Sequence, residues 1–151
     1  MSINNFYAFL FLTILISSVY NTIIILDNDN YDNEVNSSKE IWLIEYYSEK
    51  CSTCQEFAPV WEQLAKKVDY LKIGRVNIDT PKGMELATKN DALNNGIPCI
   101  RLIYGKNKFE NVMTGSEEPL PKVKTLKDRI DNILKKKGKL ENGKYFMNED
   151  L

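Results

Sequence analysis

In "YYSEKCSTCQEFAPVW", residues 46–61, Cys51 and Cys54 are separated by two residues, directly after an apolar run and directly before a helical pattern. Such a pair admits three chemistries: reversible dithiol–disulfide exchange, half of a metal site, or a static structural staple. The chain has three cysteines and no histidine. A four-ligand zinc site would have to recruit carboxylates beside Cys51, Cys54 and Cys99, a poor match to structural zinc spacings, and no metal is expected. A second residue needs a reason. Glu45 interrupts the apolar, aromatic run "EIWLIEYYS" (residues 40–48), which otherwise reads as a buried strand.

The elements that must position these residues follow from periodicity. From Phe57 the apolar residues recur at Val60, Trp61, Leu64, Ala65 and Val68, the spacing of an amphipathic helix that starts near the cysteines and is bent, not ended, by Pro59. Upstream, "TIIIL" (residues 22–26) reads as a short β-branched strand and "DNDNYDNEV" as a short helix. Downstream come a strand in "LKIGRVNID" (residues 71–79) and a helix in "TPKGMELATKNDAL" with Pro81 in its first turn. "GIPCIRLIYGKNKFENVMTG" predicts an antiparallel hairpin with Gly105 and Asn107 in the turn. Val123, Leu126, Ile130, Ile133 and Leu134 mark a last helix, with Gly138 as its stop. Residues 138–151 show no period and read as a tail, mobile or pinned by Tyr145 and Phe146. Alternating strands and helices imply an α/β domain built of βαβ units.

A chain of 151 residues has room for one ordinary domain, and its net charge of -1 offers no field that gathers nucleic acid. Residues 1–21 carry no charged side chain, and residues 6–16 are an apolar stretch of signal-peptide length. Carried on to residue 26, the same run would be long enough for a membrane anchor. "NSS" at residues 36–38 is a glycosylation sequon on Asn36, and the final "NEDL" is reminiscent of a retrieval signal of the endoplasmic reticulum.

Together, "WLIEYYSEKCSTCQEFAPVWEQLA", "GRVNID" and "GIPCIRLIYG", in this order, resemble the catalytic domains of the protein disulfide isomerase family. The resemblance covers about residues 22–137 and implies the thioredoxin fold, a central mixed β-sheet flanked by helices. If "TIIIL" is the first strand of that fold, it is not embedded in a membrane. The expectation is then a signal peptide over residues 1–20, with an uncleaved anchor as the alternative, a domain over 21–137 and a tail over 138–151.

The resemblance also assigns roles. A helix N-terminus favours a thiolate, so Cys51 is the expected nucleophile and Cys54 the resolving thiol. Glu45 takes the place of the family's buried acid, which moves the resolving cysteine's proton; a solvent-facing edge carboxylate is the alternative. Arg75 takes the place of a basic residue near that acid. Pro98 matches the cis-proline facing the cysteines, and the backbone of Ile97 before it is expected to pair with an extended substrate peptide. Cys99 replaces a threonine and reads as a small packed thiol. Two departures stand out: Lys50 replaces an aromatic residue before the first cysteine, and Ser52-Thr53 replaces glycine-histidine between the pair.

The expected function is thiol–disulfide oxidoreduction in the secretory pathway, in the lumen of the endoplasmic reticulum. Its partners would be cysteine-containing client proteins and an unidentified redox recycling partner, with membrane contact only if the leader is retained. No cofactor is required, because the dithiol carries the electrons. The alternatives are a thioredoxin-fold interaction or chaperone module with little turnover, and a cytosolic thioredoxin-like reductant.

Overall fold

The computed structural model describes residues 22–148. The leader expected over residues 1–20 and the last three residues of "NEDL" lie outside this range. A mixed five-stranded sheet contains β1 (Ile24–Ile25), β2 (Trp42–Tyr47), β3 (Lys72–Asn77), β4 (Cys99–Gly105) and β5 (Lys108–Met113), in the spatial order β1-β3-β2-β4-β5. Strands β1 and β2 run parallel to β3, while β4 runs antiparallel to β2 and β5. Between them lie α1 (Asp32–Asn36, a wide π-type turn), α2 (Ser52–Lys67), α3 (Pro81–Lys89) and α4 (Val123–Lys137).

Side-chain alternation along β2 decides which helix meets which face. Ile41 and Leu43 pack with Phe57, Trp61 and Leu64 of α2 and with Leu126, Ile130 and Leu134 of α4. Trp42, Ile44 and Tyr46 point the other way, onto Val35 of α1 and Leu86 and Ala87 of α3. The period of two therefore puts Glu45 on the α2 face, where the cysteine helix begins. Helix α2 runs unbroken through Pro59. The expected first strand is shorter than its apolar run: only Ile24 and Ile25 pair with β3, and Leu26 adds one more hydrogen bond from its N–H to the Arg75 carbonyl.

The expected irregular tail is instead a hairpin of β6 (Gly138–Glu141) and β7 (Lys144–Met147). Its anchor is Tyr145, whose ring lies 5.6 Å from that of Tyr70. The Tyr145 carbonyl accepts from Ile41 N–H, its own N–H donates to the Tyr70 carbonyl, and Met147 N–H donates to Lys39. These backbone partners are not readable as a period, because each lies far away in the chain. Gly138 ends α4 differently from a left-handed stop: its φ is -110°, and a Cβ there would come within 2.9 Å of the Tyr145 ring and 3.1 Å of Ile41. Small size, needed for this close approach, is what the position demands. Replacing Tyr145 by alanine is expected to lower stability by about 1–3 kcal/mol through lost ring packing, read as a drop in urea midpoint at unchanged m-value.

Candidate active site

Helix α2 starts with Cys51 as its N-cap, in extended conformation, and the Cys51 Sγ accepts a hydrogen bond from Cys54 N–H at 3.1 Å. A sulfur thus occupies the place where serine or aspartate oxygens usually satisfy the first N–H groups of a helix, next to the positive end of its dipole. Cys51 is half-buried and Cys54, one turn in, is buried. All three cysteines are unpaired thiols. Burial, and then the contact with Cys51, push the Cys54 thiol up to about 12, so this group needs help to lose its proton.

The charge of a neighbouring carboxylate raises the Cys54 thiol further. Glu45 is completely buried, its charge acts on Cys54, and its Oε2 accepts from Arg75 Nε at 2.7 Å. Arg75 stands directly opposite Glu45 in the β2–β3 register, with its guanidinium 4.0 Å from the Tyr47 ring centre. Its Nη1 also lies 3.6 Å from Glu62 of α2. Desolvation outweighs the attraction of Arg75 and raises the Glu45 carboxyl from 4.5 to about 7, where it can take or give a proton near neutrality. Among the described residues the Glu45 Oε1 has no hydrogen-bond partner. The edge-carboxylate alternative is thus set aside by geometry.

Across from the cysteines the Ile97–Pro98 peptide is cis, and Cys51 Sγ lies 4.0 Å from the Ile97 carbonyl oxygen. Ile97 is half-buried and Pro98 buried. Behind this turn sits Gly115, where a Cβ would fall 2.3 Å from Ile97 N and 2.4 Å from the Gly96 carbonyl carbon. Cys99 is buried on the α1/α3 side, opposite Tyr46, and burial raises its thiol. Lys50 and Ser52 are exposed beside Cys51. Among the described residues no group of three or more His, Cys, Asp or Glu could hold a metal ion. Asn36 of the sequon ends α1, its side-chain amide donating to Asp32.

Several residues were not singled out from the sequence. The buried hydroxyl of Ser48 donates to Asp79 at 2.8 Å and accepts from Lys50 N–H at 3.0 Å, and Asp79 also accepts from Glu49 N–H at 2.8 Å. These bonds, the one to Ser48 foremost, hold Asp79 below its ordinary range and fix the loop that delivers Cys51. The signal was available: parallel strands β2 and β3 must end at the same edge, which brings the residues after each together. Gly115 carried no such signal. Arg101, nearly fully buried, donates from its Nη1 and Nη2 to the carbonyls of Asn90 and Asp91 and from Nε to Asn111, closing the end of α3.

Residues 22–128 match the family model described as Thioredoxin. The chain belongs to the thioredoxin family. This thioredoxin-family domain is 28% identical over 132 residues to the probable protein disulfide-isomerase A4 of Caenorhabditis elegans, covering 85% of the chain and 20% of that protein. It is 50% identical over 56 residues to DnaJ homolog subfamily C member 10 of Xenopus laevis, covering 36% of the chain and 7% of that protein. Among solved structures, the J-Trx1 fragment of ERdj5 superposes with a TM-score of 0.62 at 27% identity, over 76% of this chain and 50% of that one. The domain therefore spans a fifth or less of the length of these two curated relatives. Sheet, flanking helices and relatives agree on a disulfide-isomerase-like thioredoxin fold, within the thiol–disulfide oxidoreductases.

Two outcomes are expected. Folded Glu45 keeps its proton to higher pH than the unfolded chain does, so its stabilising effect is complete below about 4.5 and is lost as pH rises through about 7. Urea titrations should show the difference between wild type and Glu45→Gln changing by on the order of 3 kcal/mol across that window, favouring the variant at the alkaline end. Gly115→Ala should push the Ile97 backbone off the cysteines, costing about 1–3 kcal/mol and moving the Ile97 amide resonance in an NMR spectrum.

Proposed function

We propose that this domain exchanges disulfides with cysteine-containing client proteins of the secretory pathway, in the lumen of the endoplasmic reticulum. The observation that carries the reading is the cysteine pair at the start of α2: Cys51 Sγ receives the Cys54 N–H, and Glu45 lies close enough to act on the Cys54 thiol. The Cys51 thiolate attacks one sulfur of a client disulfide, forming a Cys51–client bond and releasing the other client sulfur as a thiolate. Cys54 then gives its proton to ionised Glu45, and its thiolate attacks the Cys51 sulfur. The bond to the client breaks, the second client thiolate leaves, and a Cys51–Cys54 disulfide remains, so two electrons have passed to the client. The reverse sequence oxidises a client dithiol, and an unidentified redox partner restores the starting state. Ile97, beside the cis peptide and facing Cys51, is where an extended client segment would pair. Arg75 holds Glu45 in place for the proton transfer.

The uncharged apolar leader and the Asn36 sequon support a secretory route. The disulfide-isomerase name of the relative from Caenorhabditis elegans supports protein disulfides as substrates.

The test is exchange itself. Equilibrated with glutathione buffers, the pair should interconvert, with a potential near about -180 to -210 mV for an oxidase or isomerase and near about -270 mV for a reductase. Cys51→Ser should abolish exchange, and Cys54→Ser should accumulate a mixed disulfide with a cysteine-containing client, visible by mass spectrometry. A pair that never exchanges in the folded protein would leave a non-catalytic interaction module as the correct reading.

A further inference from the structure

The proton path proposed above stops at Glu45, a fully buried group, yet the structure extends further. Arg75 is a single cation held between two carboxylates: Glu45 at 2.7 Å from Nε and Glu62 at 3.6 Å from Nη1. The Glu62 side chain is half exposed and that of Arg75 18% exposed, so the row Cys54, Glu45, Arg75, Glu62 leads from the buried thiol to solvent. We propose that Glu62 is a positioning residue for the resolving step: by sharing Arg75 it sets the charge state of Glu45, and so when Cys54 can give up its proton. This rests on the disulfide-exchange reading and adds to it a regulator on the protein surface.

The reason is charge balance. With Glu45 protonated, the pair Arg75–Glu62 is neutral and the buried site holds no net charge. With Glu45 ionised, two carboxylates compete for one guanidinium, and one oxygen of the buried carboxylate has no hydrogen-bond partner among the described residues. A buried carboxylate that owned its guanidinium outright would be held ionised and would be a weak base. Sharing that guanidinium keeps Glu45 nearer neutrality, where a group can both take the Cys54 proton and pass it on. The other neighbours do not supply this effect. Glu45 faces Arg75 from β3 and Cys54 and Glu62 from α2, its β4 neighbour is the apolar Ile100, and along β2 the nearest titratable side chains are Tyr46, on the opposite face, and Tyr47, which sits under Arg75. Among the described residues, Glu62 is the further carboxylate that acts on the Glu45 carboxyl, and it does so in the direction that raises it.

The experiment uses the full chain and needs no turnover for its first readout. Carboxyl carbon NMR, with the Glu45 resonance assigned by its loss in Glu45→Gln, follows the titration in wild type, Glu62→Gln and Glu62→Asp. The expected result is a downward shift of the Glu45 midpoint by about half a unit to one unit in Glu62→Gln, with Glu62→Asp lying between that and wild type. A midpoint that stays put or rises in Glu62→Gln overturns the proposal. The second readout is the pH profile of mixed-disulfide resolution, whose midpoint should move by the same amount. Added to Glu45→Gln, the Glu62→Gln change should leave the resolution rate where it was; an equal loss in that background would show a merely structural role and overturn the proposal. Wild type that titrates as expected but never exchanges disulfides would sink the functional reading separately.

Discussion

Burying Glu45 strips a carboxylate of its water, and a single guanidinium at 2.7 Å makes up only part of that loss. Much of the site can be traced to this one unfavourable placement. The alternation of β2 is fixed by four large apolar neighbours that fill both faces of the sheet, so Glu45 has no freedom to turn away. The parallel register then dictates that its partner must come from the opposite position on β3, and Arg75 is there. Arg75 in turn needs somewhere to spread its own charge, and finds the Tyr47 ring and Glu62. A sheet that must pack cleanly on both sides thereby places a buried carboxylate on its α2 side.

The cysteines are held from the other direction, by backbone and small groups. Ser48 and Asp79 tie the loop before Cys51 to the end of β3, and the cis Ile97–Pro98 turn presses in before β4 with Gly115 packed close behind it. Neither contact involves a reacting atom. Both define where Cys51 sits relative to the Ile97 carbonyl, the placement on which the proposed attack in line with a sulfur–sulfur bond would depend.

The fold was readable because its signals are local. A continuous apolar run marked β2, alternating and β-branched residues marked β3, the 3.6-residue stripe from Phe57 marked α2, and the residues around Cys51, Glu45, Arg75 and Pro98 formed a recognisable order. What escaped was non-local. Glu62 looked like any exposed glutamate of an amphipathic helix until the guanidinium of Arg75 was placed beside it. Gly138 read as an ordinary helix stop and Gly115 only as the last residue of the hairpin segment, although small size is required at both by what lies against them. Arg101 sat inside an apolar strand pattern and gave no hint that its partners would be the final carbonyls beyond α3. Residues 138–147 lacked a period because their hairpin is secured by backbone bonds to residues 39, 41 and 70.

That closing hairpin bears on how the molecule comes into being. The start of β2 and the turn before β3 take their last backbone partners from strand β7, and the ion pair of Lys144 with Glu40 joins positions 104 apart. Such contacts demand that a long loop be closed before they contribute anything, which slows folding and leaves the early strands unfinished while the chain is being made. In a nascent chain the cysteine helix is therefore complete in sequence well before the strand that closes the opposite end of β2 has been made.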